Sequence, residues 1–289
     1  MKKLLVLFFA LILLLSMAAC EKDDGNAGDQ SNKSEPTTQD NGNDGTEDPV
    51  PTETQEPTRG VFLPTEMVKT IHNEEGDAIW REVYTYDLQG NRISSTTYRP
   101  DGSTGSVCTM EYDEEGNLIR ETYASGSVYE YAYDSLGNQY CTVSFGKTVE
   151  LELDDAGRAL RLGTDTFTYA EDMSSYTRYK YTDGGEMSEY TEYILDDQGH
   201  VITTRRCHGD GRLLYRTDYV YENGQMVQLL SYGMNSETHV STKNAYTYDA
   251  YGNLLTDTFV GNYYSSNYEA VYTVTEIEVT ESAARRLGQ

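Results

Sequence analysis

Six phrases of nearly one form carry the side chains most able to do chemistry: YTYDLQGN at Tyr84, MEYDEEGN at Met110, YAYDSLGN at Tyr131, LELDDAGR at Leu151, YILDDQGH at Tyr193 and YTYDAYGN at Tyr246. Each offers a carboxylate, at Asp87, Asp113, Asp134, Asp154, Asp196 and Asp249. Three residues on stands a glycine, at Gly90, Gly116, Gly137, Gly157, Gly199 and Gly252. A pair of carboxylates about 5–9.5 Å apart is all that glycoside hydrolysis demands of a protein. In a chain with 48 acidic residues, however, such pairs arise in any fold, so their abundance discriminates nothing. An Asp followed by Gly at this spacing is first a turn device, because the carboxylate bonds the backbone two residues on and the glycine takes the left-handed conformation. The DxDxDG spacing of a calcium loop is missing, so the acidic turns offer weak Ca2+ binding at most.

Other catalytic and metal chemistry finds little to work with. No GxSxG phrase accompanies His72, His200, His208 and His239, and His200 occupies the polar slot after a turn glycine, which reads as a surface turn residue. Cys207-His208 is a soft-ligand pair, but no spacing supplies two further zinc ligands. Cys108, Cys141 and Cys207 contain no CxxC; one disulfide with one free thiol, or three buried thiols, both fit. The expectation is therefore no catalytic residue, no metal centre and no cofactor. The tyrosines point elsewhere, for there are 26 against 6 Phe and 1 Trp. Tyr84, Tyr86, Tyr131, Tyr133, Tyr246 and Tyr248 could form a ligand face of flat amphipathic rings, or serve as cross-strand ladders that hold a sheet together.

These residues need an element to position them, and the phrases themselves describe it. Alternating tyrosines read as strand, the Asp–Gly segment reverses the chain, and a second punctuation follows in RPDGS at Arg99, ASGS at Ala124, TDGGE at Thr182 and HGDGR at His208. Looser copies stand at Ile71 (IHNEEGD) and Tyr219 (YVYENGQ). Turn glycines recur every 20 to 28 residues, which marks a repeat architecture. Two reversals per repeat make a β-meander of about sixteen short strands, with no stretch of helical period. The expected fold class is all-β: a repetitive antiparallel meander forming an extended sheet that must curl.

The phrase resembles the YD repeat of Rhs and teneurin-type proteins, over roughly residues 71–259. In large members such repeats coil into a shell around a toxin. The resemblance here implies a shorter curled sheet, open at least in part, since the repeats are few and no toxin-sized extension follows. Asn or His replaces the usual Arg after most turn glycines, with Arg158 an exception.

The first sixty residues carry a separate message. Met1-Lys2-Lys3, the 12 apolar residues from Leu4 to Leu15, and Ser16-Met17-Ala18-Ala19-Cys20 form the three regions of an export signal. The apolar run falls well short of the roughly 20 residues needed to span a bilayer. The small pair before Cys20 resembles the lipobox of bacterial lipoproteins, with Met17 where Leu is usual, and implies acylation of Cys20. Residues 1–19 then form the signal, 20–58 the lipidated cysteine with an acidic disordered tether, and 59–289 the repeat domain. The 38 residues after Cys20 hold four of the six prolines and almost nothing apolar. As a flexible coil they would reach about 35 Å. Glu21-Lys22-Asp23-Asp24 resembles an acidic signal that sends some lipoproteins to the outer face of the outer membrane.

A formal charge of −26 argues against nucleic acid as a partner. The expectations are an extracytoplasmic protein on the cell membrane or outer membrane, held to the bilayer by its acyl anchor. Its domain is expected to be non-catalytic and to bind a glycan or a protein at the cell surface. The alternative is a surface glycoside hydrolase acting through an Asp/Glu pair.

Overall fold

The computed structural model describes residues 56–261 and 267–289. The signal, Cys20 and the tether as far as residue 55 lie outside the described residues. Nineteen strands run antiparallel in one sheet. The first half comprises β1 (Thr58–Asn73), β2 (Gly76–Tyr86), β3 (Arg92–Tyr98), β4 (Thr104–Tyr112), β5 (Leu118–Tyr123), β6 (Val128–Tyr133), β7 (Gln139–Ser144), β8 (Lys147–Thr148) and β9 (Leu151–Leu153). The second comprises β10 (Ala159–Leu162), β11 (Asp165–Tyr169), β12 (Ser175–Tyr181), β13 (Met187–Leu195), β14 (Val201–His208), β15 (Leu213–Glu222), β16 (Gln225–Tyr232), β17 (Val240–Tyr248), β18 (Leu254–Gly261) and β19 (Asn267–Thr280).

Every strand from β1 to β18 except β8 pairs with its successor, as the meander requires, and the final strand β19 returns to pair with β1 from Thr58↔Thr280 to His72↔Asn267. Since β1 also pairs with β2, the first strand lies in the middle of the sheet. The edges are β8 and β9, consecutive in the chain and separated by two residues. One pairs with β7 and the other with β10. The sheet curls but does not close into a barrel.

The expected count of about sixteen strands falls short of nineteen. One reason is that residues 147–153 change partner midway and so form two short strands, β8 and β9. A second departure is a helix, α1 (Glu281–Arg286), which no periodicity announces because it is only six residues long. Thr280 caps it, its hydroxyl accepting the Ala283 N–H, with Glu281 in the first turn and Arg285 and Arg286 in the last.

Burial is distributed in small clusters rather than one core. Val61, Leu63, Val279, Ala283 and Ala284 pack α1 onto β1 and β19. Met67, Tyr84 and Ala270 form a second cluster beside it. Tyr140, Ala159, Leu162, Phe167 and Tyr176 form a third, drawn from β7, β10, β11 and β12. There the rings of Tyr140 on β7 and Phe167 on β11 meet edge to face at 5.5 Å. Such small packing units suit a repeat fold, in which each unit is stabilised mainly by its neighbours.

Candidate binding face

The turn carboxylates build the frame for every other side chain. Asp87 Oδ1 accepts the backbone N–H of Gln89 at 2.8 Å and of Asn91 at 2.9 Å, and its Oδ2 accepts the Asn91 side-chain amide at 3.1 Å. The same clasp recurs at Asp113 with Asn117, Asp134 with Asn138, and Asp249 with Asn253. At Asp154 the partner is Arg158, whose Nε donates at 2.8 Å. At Asp196 it is His200, with Nδ1 at 3.0 Å. The residue after each turn glycine is thus the carboxylate's donor, which explains why Asn, Arg and His alternate there: each places an N–H where the second carboxylate oxygen waits. His200 is not the surface residue that its turn position suggested. Its side chain is only 12% exposed and its ring stacks on Tyr221 at 4.8 Å.

All six turn glycines hold positive φ, from 76° to 89°. At Gly90 an added Cβ would also sit 2.8 Å from Leu287 Cδ1 beyond α1, so that side chain would have to shift. Hydrogen bonds from Arg158 hold the Asp154 carboxyl below its ordinary value. Burial pushes the Asp196 carboxyl up, but the hydrogen bonds from His200 and Gln198 outweigh it and the net shift is downward.

A second recurring device joins one repeat to the next. Tyr112 donates its hydroxyl to the Arg92 carbonyl at 2.9 Å, Tyr133 to Leu118 at 2.9 Å, Tyr169 to Ala159 at 2.9 Å, Tyr221 to Val201 at 3.2 Å and Tyr248 to Met226 at 2.8 Å. Tyr86 likewise bonds the Pro64 carbonyl. Except at Pro64, the acceptor is the first residue after the preceding turn phrase. Beside every one of these acceptors, Pro64, Arg92, Leu118, Ala159, Val201 and Met226, the register slips by one residue. A bulge interrupts the ladder, and a tyrosine from the next repeat satisfies the carbonyl there. Burial pushes the phenols of Tyr86, Tyr112 and Tyr169 up to about 12.

The six tyrosines read as a possible ligand face are not brought together. Tyr84 and Tyr86 lie on β2, Tyr131 and Tyr133 on β6, Tyr246 and Tyr248 on β17. Three strands separate each pair from the next, about 19 Å in the ladder direction. Their hydroxyls are largely committed: besides the staples, Tyr131 bonds Glu121 at 2.7 Å and Tyr84, only 7% exposed, bonds Glu82 at 3.2 Å. Burial, followed by the nearby Asp257 charge, pushes the Tyr246 phenol up as well.

Another set of rings does converge. Tyr140, Phe167, Tyr176 and Tyr193, with Asn138, Gln139 and Arg178, line a cleft of about 180 Å³. Tyr176 and Tyr193 stack in parallel at 4.4 Å. Arg178 is anchored by Asp165, with Nε at 2.8 Å and a terminal nitrogen at 2.6 Å, and covers the Phe167 ring. Of the four rings, only Tyr193 stands in a turn phrase with its strand role visible; cross-strand stacking of Tyr176 on it follows from the register Tyr176↔Tyr193, which local sequence does not specify. Cys108, Cys141 and Cys207 are free thiols, and burial followed by Glu121 pushes Cys108 up to about 11.

Comparison with known proteins agrees with this repeat geometry. The RHS repeat model matches residues 112–144, a stretch running from the Tyr112 staple through the Asp134 clasp to the end of β7. A family of unknown function, DUF2963, matches residues 69–123. The chain therefore carries Rhs-type YD repeats. No curated protein matches it. Among solved structures it is similar to the Photorhabdus luminescens Tc holotoxin pore, at 18% identity and a TM-score of 0.31, over 68% of this chain and 12% of that one. A porin-like protein from Bacteroides uniformis aligns at 15% identity and a TM-score of 0.38, over 73% of this chain and 98% of that one. The chain thus spans about an eighth of the toxin chain it matches.

Proposed function

We propose that this chain is a lipid-anchored extracytoplasmic protein whose repeat domain binds a cell-surface glycan or protein without altering it, a glycan being favoured. The observation that carries the reading is the cleft between β7 and β13. Its wall alternates ring faces with amide and guanidinium groups, and sugars offer an apolar ring face edged by hydroxyls. Ring contact gives area at small entropic cost, and Asn138, Gln139 and Arg178 give direction. The anchor is the acylated Cys20, with residues 21–58 as tether.

The test is an array of neutral glycans and envelope extracts probed with the full chain at low and moderate salt, with a product assay on every hit. Glycan binding that depends on Tyr176 and Tyr193 and varies little with salt supports the reading, because a neutral ligand feels no screening. Binding that collapses with salt points to a cationic protein instead. Turnover abolished by replacing one Asp or Glu refutes the non-catalytic reading and promotes the hydrolase. For the anchor, Cys20→Ala is expected to block maturation; palmitate incorporation by that variant refutes it.

A further inference from the structure

Around the middle of the sheet, five strands carry a mixed polar and aromatic group on one side. Lys69 of β1 stands opposite Trp80 of β2 and Ala270 of β19. Ala270 stands opposite Asp257 of β18, and Asp257 opposite Tyr246 of β17. Directly opposed residues share a face, so these five side chains form one row. In the next row Tyr268 and Phe259 stack at 5.2 Å with their planes 9° from parallel. Asn244 stands opposite Phe259 in that row.

The charges in this group retain unused hydrogen-bonding capacity. Lys69 Nζ lies 3.6 Å from the Tyr268 ring centroid. Among the described residues no acceptor takes a hydrogen bond from it. Asp257 accepts the Asn244 amide at 3.2 Å on one oxygen and the Tyr268 hydroxyl at 3.0 Å on the other, which leaves a lone pair on each. Both charges are half-buried: burial lowers the Lys69 ammonium and raises the Asp257 carboxyl from their ordinary values. Ala270, 2% exposed, puts only a methyl between them. Nothing in the turn clasps or the tyrosine staples uses Lys69, Asp257 or Trp80.

We propose that this patch is a second binding site, for a neutral pyranose whose adjacent hydroxyls bridge Lys69 Nζ and the Asp257 carboxylate. A donor and an acceptor side by side, of opposite charge, fit a hydroxyl pair. An anion would meet Asp257 and a cation would meet Lys69, so neither gains from the pair. Trp80 and Tyr268 supply the neighbouring rings. The inference rests on the glycan reading above and deepens it, at a site distinct from the cleft on β7 to β13.

Trp80 is the single tryptophan, so its emission reports this site alone. The experiment titrates the full chain with a panel of neutral methyl hexopyranosides in the millimolar range and follows Trp80 fluorescence. Wild type is expected to shift saturably with at least one of them. Lys69→Met and Asp257→Asn should each weaken that binding about tenfold or more, as loss of a hydrogen bond to a charged group implies. Lys147→Met, exposed on β8, should leave it unchanged. Equal affinity in wild type and both variants overturns the proposal. So does a silent Trp80 when the array shows glycan binding, and in that case the cleft reading survives. Silence in both assays removes the two readings together.

Discussion

Asp134→Ala is the substitution that most directly tests whether the turn clasps hold the sheet. Asp134 is 7% exposed and accepts four hydrogen bonds: the N–H of Leu136 at 2.9 Å and of Asn138 at 3.0 Å, the Asn138 amide at 2.9 Å and the Tyr140 hydroxyl at 2.9 Å. Removing the carboxylate strands four donors, of which the Tyr140 phenol is buried beside Phe167. Hydrogen bonds to charged groups contribute about 1.5–3 kcal/mol each, but they are not additive, and water can reach the turn amides. A net cost of about 3–5 kcal/mol is expected, at the top of the usual range for a point substitution. For a domain of this size that corresponds to a fall in Tm of about 6–20 °C. Thermal unfolding followed by circular dichroism measures it. Asp101→Ala is the control, because Asp101 makes the same kind of turn contact to Ser103 on the exposed rim and is expected to leave Tm nearly unchanged. A double-mutant cycle with Tyr140→Phe isolates the buried phenol, with an expected coupling of about 1 kcal/mol or more. A Tm drop no larger than that of Asp101→Ala, or zero coupling to Tyr140, would falsify the reasoning.

Three further predictions follow from the same frame. Tyr133→Phe removes one inter-repeat staple and should cost about 1 kcal/mol; calorimetry showing no loss for Tyr133→Phe and Tyr248→Phe alike would show that the staples are incidental. Gly137→Val should cost about 1–3 kcal/mol through positive-φ strain alone, since nothing lies within 4 Å of its Cβ, while Gly90→Val should cost more because it also meets Leu287; equal denaturant midpoints for the two contradict this. Burial pushes the Asp218 carboxyl up, but bonds from Arg216, Tyr232 and Thr203 outweigh it and hold the group below the usual aspartate value. Its contribution is therefore full above about pH 4 and is lost as pH falls through the lowered folded value, so Asp218→Asn should lower Tm at pH 7 and much less at pH 2; a constant difference across that range refutes the linkage.

Much of the fold is legible in the sequence because hairpin grammar is local. Tyr84, Tyr86, Asp87 and Gly90 together specify a strand, a face and a reversal within seven residues, and the clasp geometry follows. What stays hidden depends on partners far along the chain. The Tyr112 hydroxyl meets a carbonyl 20 residues back only because a bulge beside Leu118 and another beside Arg92 set the register, and no local pattern announces a bulge. The role of Asn91 or His200 is hidden for a different reason: after a turn glycine any polar residue is plausible, and only the second carboxylate oxygen selects among them. The aromatic cleft escapes for the first reason, since Tyr140 and Phe167 meet across the intervening run of β8 to β10. The helix α1 is too short to show a period, although Thr280 as cap and Arg285-Arg286 at its end are its usual punctuation.

The central position of β1 sets the order in which this molecule can be completed. Strands β2 to β8 and β9 to β18 form by nearest-neighbour hairpins as soon as each is available, with small loop-closure entropy. β1 gains its first partner early but holds one row of open N–H and C=O groups until Asn267–Thr280 arrives, more than 190 residues later. As the chain folds, the first strand must therefore wait, unpaired on one side, for the last strand to arrive. The middle of the finished sheet is the last part of it to assemble, and α1 then seals that junction by packing Ala283 and Ala284 on Val61 and Val279.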